Sequence, residues 1–123
     1  MREIKGKEEI VEMERTLTII KEMHILAMRQ SKPGKFEYQV FGMIEGIMRS
    51  HDLQGAYPVI FTRHGEILHN RGHTQQLIAG DLVVNDSGVS SALGYASDIT
   101  RMIPVSGKFS ARQRVIYNIV LAG

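Results

Sequence analysis

The sequence contains no cysteine among its 123 residues. Disulfide bonds, thiolate metal ligands and a cysteine nucleophile are therefore excluded. The sequence also lacks a Gly-x-Ser-x-Gly elbow and a glycine-rich phosphate loop, the short motifs of serine hydrolases and of nucleotide-binding sites. These absences leave metal-assisted hydrolysis as the surviving class of enzyme chemistry.

Long apolar runs and a strong excess of one charge are also missing. No apolar run approaches the ~20 residues that a membrane-spanning helix needs, and the first residues lack the apolar segment of a secretory signal. We therefore expect a cytoplasmic location and no membrane partner. The formal net charge is only +2, and the 15 basic side chains are interspersed with 13 acidic ones. This distribution does not predict nucleic-acid binding.

The pattern of apolar residues predicts an α+β fold. Two helices, over residues 8–30 and 36–51, are separated by the helix-breaking sequence Ser-Lys-Pro-Gly. A third helix is expected after Ser110, which suits an N-cap. Four short strands are expected, at residues 58–61, 67–68, 81–86 and 94–101. This order predicts a single unit, residues 1–123, in which helices pack on a mostly antiparallel sheet.

Two aspartates carry the clearest chemical signal. Asp86 and Asp98 lie at or inside predicted strands, where an unpaired carboxylate is costly. A hairpin could bring both to one face, although the turn length sets the register. Adjacent carboxylates repel unless a shared cation or proton compensates, and such oxygen ligands suit Mn²⁺ or Mg²⁺ and, in hydrolases, Zn²⁺ or Co²⁺. One capping aspartate and one turn aspartate form the alternative interpretation.

The histidines give a weaker signal. His64, His69 and His73 fall within ten residues, which is compatible with a metal site and equally with a solvated loop. His24 lies on the apolar stripe of the first helix and is expected to be a core histidine with satisfied hydrogen bonds. The remaining members of that stripe are Ile10, Met13, Leu17, Ile20 and Ala27.

Several segments together resemble the catalytic domains of aminopeptidase P and prolidase, metallopeptidases with the pita-bread fold. Residues 28–38, with Lys-Pro-Gly-Lys-Phe-Glu-Tyr, resemble the helix–break–helix entry of that domain. Ile-Leu-His at 67–69 resembles the family's substrate-pocket histidine segment. Residues 80–88 and 94–101, the latter Gly-Tyr-Ala-Ser-Asp-Ile-Thr-Arg, resemble its two metal-aspartate strands, and Gly-Lys-Phe follows. The resemblance covers about residues 5–122.

The resemblance implies a role for each candidate residue. Asp86 would bind one metal ion through both oxygens, and Asp98 would bridge two ions. His69 would line the pocket and help to bind the substrate, and Thr100 would orient Asp98. The two divalent ions, expected to be Mn²⁺ with Co²⁺ or Zn²⁺ as alternatives, would activate water to hydrolyse the peptide bond before a proline.

The resemblance also implies ligands that this chain does not contain. The family's site needs one histidine and two glutamates from later in the domain, and neither residue type occurs after Asp98. Asn85 and Ser87 flank Asp86 where apolar or small residues are commoner in the family, and the segment between the aspartates is one residue longer. We therefore expect the N-terminal half of a pita-bread domain, truncated at its C-terminus, inactive and unable to hold metal stably.

Exposure of the surface that packs on the missing half would favour self-association of this fragment. The longer protein is expected to be a homodimer that acts on peptides with proline at the second position. A methionine aminopeptidase-like enzyme shares the fold and the paired aspartates, although the sequence at 94–101 favours the proline-specific branch. A non-catalytic pita-bread binding module is a different class, and retention of Asp86 and Asp98 argues against it. In a further alternative, two copies of the half-domain associate to complete the site. Together they would supply four aspartates and no ligand glutamates, which argues against this alternative.

Overall fold

The computed structural model describes residues 4–123. Its three helices are α1 (Lys7–Gln30), α2 (Glu37–Ser50) and α3 (Ala111–Ala122). Its five strands are β1 (Gln54–Gly55), β2 (Ile60–Thr62), β3 (Leu82–Ser87), β4 (Val89–Ser90) and β5 (Ile99–Pro104). Within the described residues, no helix is both long and apolar enough to cross a membrane.

Local hydrogen bonds explain where the helices begin. The Phe36 N–H donates to Gln39 Oε1 over 2.8 Å at the start of α2. At α3, Ser110 and Gln113 exchange two bonds, from Ser110 N–H to Gln113 Oε1 (2.8 Å) and from Gln113 N–H to Ser110 Oγ (3.3 Å). This reciprocal pair satisfies two of the free N–H groups of the first turn. The predicted N-cap at Ser110 is confirmed.

Strand β3 lies at the centre of a three-stranded antiparallel sheet with the order β2-β3-β5, and β1 pairs with β4 separately. In the register, Asp86 faces Thr100. Because side chains alternate along a strand, Val83, Asn85 and Ser87 point to the buried face while Asp86 points to the opposite one. The strand therefore contributes to the core and presents Asp86 outside it.

Helices α1 and α2 pack against each other, and α1 covers the buried face of the sheet. Of the stripe predicted on α1, Ile20, His24 and Ala27 are buried, whereas Ile10 and Leu17 are 47% and 42% exposed. Thr16 and Ile19 are buried in addition, and α1 contacts both α2 and the sheet. The largest fully buried side chains of the core are Phe61, Ile20, Met23, Ile44, Met48, Leu77 and Ile103.

Three of the expected strands need correction. Ile67 and Leu68 form no strand but lie exposed in turns, where the Ile67 N–H donates to the His64 carbonyl oxygen over 3.1 Å. The returning strand begins at residue 99 rather than 94, because Gly94, with φ +79°, ends a tight turn closed on Ser91. The strand expected at 58–61 lies slightly later, at Ile60–Thr62.

Helix α3 lies against the outer side of the sheet with few anchors. The Phe109 and Tyr117 rings lie in contact with centroids 4.7 Å apart and planes tilted by 37°, and Gln113 Nε2 donates to the Gly80 carbonyl oxygen over 2.8 Å. None of its side chains is buried. An apolar groove of about 540 Å³ separates this helix from β3 and β5. Five apolar side chains of α3 are between 54% and 75% exposed: Val115, Ile116, Ile119, Val120 and Leu121.

Candidate functional site

The register of β3 and β5 brings the two predicted aspartates to one face of the sheet. Asp86 pairs with Thr100, and Asp98 precedes Thr100 by two residues, just before β5 begins. Residues two apart on an extended strand share a face, so Asp98 projects on the same side as Asp86. The hairpin interpretation is therefore confirmed, and the outer face of the sheet contains both carboxylates.

A tyrosine joins the two carboxylates. The Tyr57 hydroxyl lies 2.6 Å from Asp86 Oδ1 and 2.7 Å from Asp98 Oδ1. A phenol carries one proton, so a single donor is shared between two acceptors. The carboxylates therefore converge on one point, where that proton offsets part of their mutual repulsion.

The same contacts keep Tyr57 protonated. The pKa of Tyr57 is raised far above its ordinary value of 10.0, first by burial and then by its hydrogen bonds to Asp86 and Asp98 and by their negative charges. Each cause disfavours the phenolate. Tyr57 consequently remains a hydrogen-bond donor to the two aspartates at any physiological pH.

Gly88 allows the tyrosine to come this close. The Ala56 N–H donates to the Gly88 carbonyl oxygen over 3.0 Å, which draws the Tyr57 segment against the end of β3. A Cβ atom at position 88 would lie 2.6 Å from Tyr57 Cε1 and 2.4 Å from the Ser97 carbonyl oxygen. The sequence does not single out Tyr57, because no local pattern reveals that residue 57 reaches residues 86 and 98.

His69 opens into the same space as the aspartates. A cavity of about 410 Å³ is lined by seven residues: Tyr57, Pro58, Ile60, His69, Arg71, Asp86 and Asp98. His69 adopts a left-handed backbone conformation, with φ of 53°, which is uncommon for a residue other than glycine. The structure therefore brings together all three of the residues predicted to contact metal or substrate, and it adds Arg71, which no motif in the sequence singles out.

The neighbouring histidines have other contacts. His64 Nδ1 lies 2.8 Å from Glu66 Oε1, and this contact is the main cause of a lowered pKa of the Glu66 carboxyl. His73 Nδ1 lies 3.1 Å from the Phe61 carbonyl oxygen, and its ring stacks on Phe41 at 3.9 Å. The three-histidine metal site is therefore not formed, and only one of the three histidines lines the aspartate cavity.

Thr100 lies opposite Asp86 in the register of β3 and β5, and its side chain is exposed and lines the groove beneath α3. Over residues 4–123, the hydrogen bond that restrains the Asp98 carboxylate comes from Tyr57 and not from Thr100. An orienting role for Thr100 stays a prediction.

A buried polar cluster lies on the other face of the sheet. His24 is 5% exposed, and its Nε2 lies 3.0 Å from the Ile99 carbonyl oxygen. Its Nδ1 lies 3.1 Å from Asn85 Nδ2, and the Ser87 hydroxyl donates to Asn85 Oδ1 over 2.7 Å. These contacts confirm His24 as a satisfied core histidine. They also explain Asn85 and Ser87, which face inward on either side of Asp86.

The donor set of the cavity suits part of a metal site. Two carboxylates face the point that the Tyr57 hydroxyl proton occupies, and hard divalent cations prefer such oxygen ligands. Within residues 4–123, no group of three or more His, Cys, Asp or Glu side chains is close enough to hold a metal ion. Asp86 and Asp98 can therefore supply some of the ligands of a metal centre but need others.

Comparison with known proteins identifies the wider family. Residues 11–123 match the metallopeptidase family M24. The chain is 40% identical to the Xaa-Pro aminopeptidase of Escherichia coli over 126 residues, covering 98% of this chain and 28% of that protein. It superposes on proline aminopeptidase P II from Yersinia pestis with a TM-score of 0.92 and 42% identity, covering 99% of this chain and 28% of that chain. A zinc-substituted E. coli aminopeptidase P in complex with product matches with a TM-score of 0.92 and 40% identity.

These matches extend over nearly the whole chain but over little of its relatives. The chain spans about 28% of the length of the E. coli and Yersinia pestis proteins. The expected α+β, pita-bread fold class is confirmed by the close superposition on aminopeptidase P. Both the family match and the identity of 40% support the same assignment. The chain belongs to metallopeptidase family M24.

Proposed function

We propose that this chain contributes two metal ligands to a dinuclear peptidase that hydrolyses the bond preceding proline. The observation that carries the proposal is the convergence of Asp86 and Asp98 on the Tyr57 hydroxyl, inside the cavity that His69 also lines. Relatives named Xaa-Pro aminopeptidase support the substrate class. The activity belongs to a longer protein, since the chain corresponds to 28% of such a relative.

Each residue has a distinct task in this proposal. Asp86 and Asp98 would hold the metal ions, for which we propose Mn²⁺, and Tyr57 restrains both carboxylates on the outer face of the sheet. Bound metal would lower the pKa of a water molecule towards neutrality and so supply a hydroxide nucleophile. His69, which lines the same cavity, would bind the substrate and donate a hydrogen bond to the oxygen of the scissile carbonyl group.

A segment-exchange chimera tests the proposal. In it, residues 1–123 replace the matching segment of the E. coli Xaa-Pro aminopeptidase, which is 40% identical. With Mn²⁺, we expect the chimera to cleave a peptide with proline at the second position and to leave the matched alanine peptide intact. Asp86→Asn and Asp98→Asn should each abolish cleavage, while Asp52→Asn, an exposed site after α2, should not.

Two outcomes would count against the proposal. A folded chimera that releases methionine from a Met-Ala peptide, and spares the proline peptide, would favour a methionine aminopeptidase. A folded chimera that binds peptide without cleaving it would favour a non-catalytic binding module. The 123-residue chain alone serves as the baseline, and we expect it to be inactive because it holds only part of the ligand set.

We also propose that the isolated 123-residue chain self-associates through the α3 face, defined as Val115, Ile116, Ile119, Val120 and Leu121. Each of these side chains is more than half exposed, and Ile116, Val120 and Leu121 also line the apolar groove beside β3 and β5. Contiguous exposed apolar surface of this kind marks an interaction site or a site of aggregation. A second copy of the chain presents the same apolar surface, so each copy can cover the α3 face of the other.

A further inference from the structure

We propose that a hydrogen-bond relay from Glu37 through Thr62 to Asn70 positions His69 in the aspartate cavity. The proposal rests on the proposed function, because it assumes that His69 acts on the substrate. His69 lies in the connection between β2 and β3, a segment with no regular secondary structure over residues 63–81. Such a segment needs anchors if one of its side chains is to hold a fixed position.

The first member of the relay is a fully buried carboxylate. Glu37, in the first turn of α2, is 0% exposed. Its Oε1 accepts from the Arg63 N–H (2.8 Å) and the Thr62 hydroxyl (3.2 Å), and its Oε2 accepts from the Gln75 N–H (3.2 Å). A buried carboxylate is costly unless such donors satisfy it. Here the donors lie at both ends of residues 63–75, so Glu37 clamps the ends of the segment that contains His69.

The second member fixes the direction of the relay. A hydroxyl has one proton to donate and two lone pairs to accept with. The Thr62 proton goes to Glu37, because both Glu37 oxygens are acceptors. The two lone pairs then accept from the His64 N–H (3.1 Å) and from Asn70 Nδ2 (3.2 Å). Thr62 is completely buried, so its hydroxyl has no water to exchange for these partners.

The third member lies next to His69 in sequence. Asn70 is held at both ends of its amide, since Nδ2 donates to Thr62 and Oδ1 accepts from the Gly72 N–H over 3.0 Å. His69 has its left-handed φ of 53° at this point. A residue with a Cβ adopts that conformation only where its surroundings enforce it. The fixed Asn70 side chain supplies that constraint, and the resulting turn places the imidazole on the wall of the cavity.

A purely structural role for these residues makes a different prediction. If they only stabilise the fold, their removal lowers the free energy of unfolding but leaves the backbone conformation of His69 unchanged. If they form a relay, His69 loses its left-handed conformation even in a variant that stays folded. The conservative replacement Thr62→Ser, which keeps the hydroxyl, should then restore what Thr62→Val loses.

Nuclear magnetic resonance on the 123-residue chain separates these possibilities, since the ¹³Cα and ¹³Cβ chemical shifts of His69 report its φ. We expect left-handed values in the unaltered chain and in Thr62→Ser, and their loss in Thr62→Val. Asn70→Asp keeps the acceptor for Gly72 but cannot donate to Thr62, so it should also lose them. The shifts of His73, which is anchored separately on Phe61 and Phe41, serve as the internal control.

Retention of the left-handed shifts in Asn70→Asp would overturn the relay, because the local turn to Gly72 would then suffice. Should Thr62→Val fail to fold, Asn70→Asp still decides, since Asn70 lies outside the core. In the chimera, Asn70→Asp should lower kcat by about 100-fold, as expected when a catalytic-site group is misplaced by about 1 Å. Because the chemical shifts do not depend on turnover, an inactive chimera with intact left-handed shifts overturns the proposed function and not the relay.

Discussion

His24 Nε2 lies 3.0 Å from the carbonyl oxygen of Ile99, the residue that follows Asp98 in the chain. Because His24 Nδ1 faces the Asn85 amide and accepts from it, Nε2 carries the proton and the ring is neutral. Burial lowers the pKa of His24 below its ordinary value of 6.5. The unfolded chain therefore takes up a proton at His24 more readily than the folded chain does.

This difference predicts an acid-sensitive contribution to stability. The contribution of His24 is fully present above about pH 6.5 and is lost as the pH falls below that value, because protonation then favours the unfolded state. Urea unfolding of the chain and of His24→Leu at several pH values measures it. As the pH falls, the free energy of unfolding should decrease less steeply in His24→Leu than in the unaltered chain. His51→Gln, which replaces an exposed histidine, should decrease as steeply as the unaltered chain. An unchanged slope in His24→Leu would show that the histidine is not the cause.

Tyr57→Phe removes the hydroxyl that Asp86 and Asp98 share. At neutral pH we expect the free energy of unfolding to fall by about 1–2 kcal/mol, since hydrogen bonds to charged acceptors are stronger than average. Because the pKa of Tyr57 is raised in the folded state, its contribution is present below about pH 10 and is lost as the pH rises above that value. The difference in free energy of unfolding between Tyr57→Phe and the unaltered chain should therefore become smaller at alkaline pH.

Tyr38→Phe is the matched control for that measurement, because Tyr38 is 54% exposed and lies outside the aspartate cavity. We expect it to leave the alkaline behaviour unchanged. Equal stability of Tyr57→Phe and the unaltered chain at neutral pH would contradict the bridging role of the hydroxyl.

Gly88→Ala should disturb the packing of Tyr57 in the aspartate cavity. The added Cβ would lie 2.4 Å from the Ser97 carbonyl oxygen and 2.6 Å from Tyr57 Cε1, so backbone and ring must both shift. We expect a loss of about 1–3 kcal/mol in the free energy of unfolding, the usual cost of overpacking. Gly42→Ala, at a helical position with nothing within 4 Å of the new atom, should instead raise stability by about 0.5–1 kcal/mol. Similar effects at the two glycines would contradict this packing.

The α3 face predicts concentration-dependent association of the isolated chain. Ile119→Glu places a charge on that face and should raise the dissociation constant at least about tenfold, which corresponds to about 1.4 kcal/mol. Asn118→Glu adds the same charge one residue earlier, at an exposed polar position, and should have a smaller effect. Sedimentation equilibrium measures both. A single monomeric species of the unaltered chain at high concentration would contradict self-association.

Much of the architecture was predictable from local sequence. The helices α1 and α2 follow from apolar periodicity and the break at Pro33-Gly34, and α3 follows from its N-cap at Ser110. The strand bearing Asp86 follows from an apolar run with polar ends. Each of these signals acts between residues close in sequence, so the chain itself reveals them without knowledge of the fold.

The missed features depend on contacts between distant segments. Tyr57 reaches the aspartates only because the two-residue strands β1 and β4 pair and Gly88 leaves room for its ring. Glu37 is fully buried because the distant 63–75 segment folds over it, which no local pattern reveals. Ile67 and Leu68 have strand-like composition, but no strand of the described residues pairs with them. Both side chains therefore lie exposed in turns.

Metal content of the chimera tests whether Asp86 and Asp98 are metal ligands. Electron paramagnetic resonance can count Mn²⁺ bound to the chimera and to its Asp98→Asn variant under identical conditions. We expect spin-coupled pairs of ions in the chimera and loss of that coupling in Asp98→Asn, with Asp52→Asn unchanged. Coupled pairs that persist in both Asp86→Asn and Asp98→Asn would show that the metal centre lies elsewhere and that the shared tyrosine contact serves only the fold.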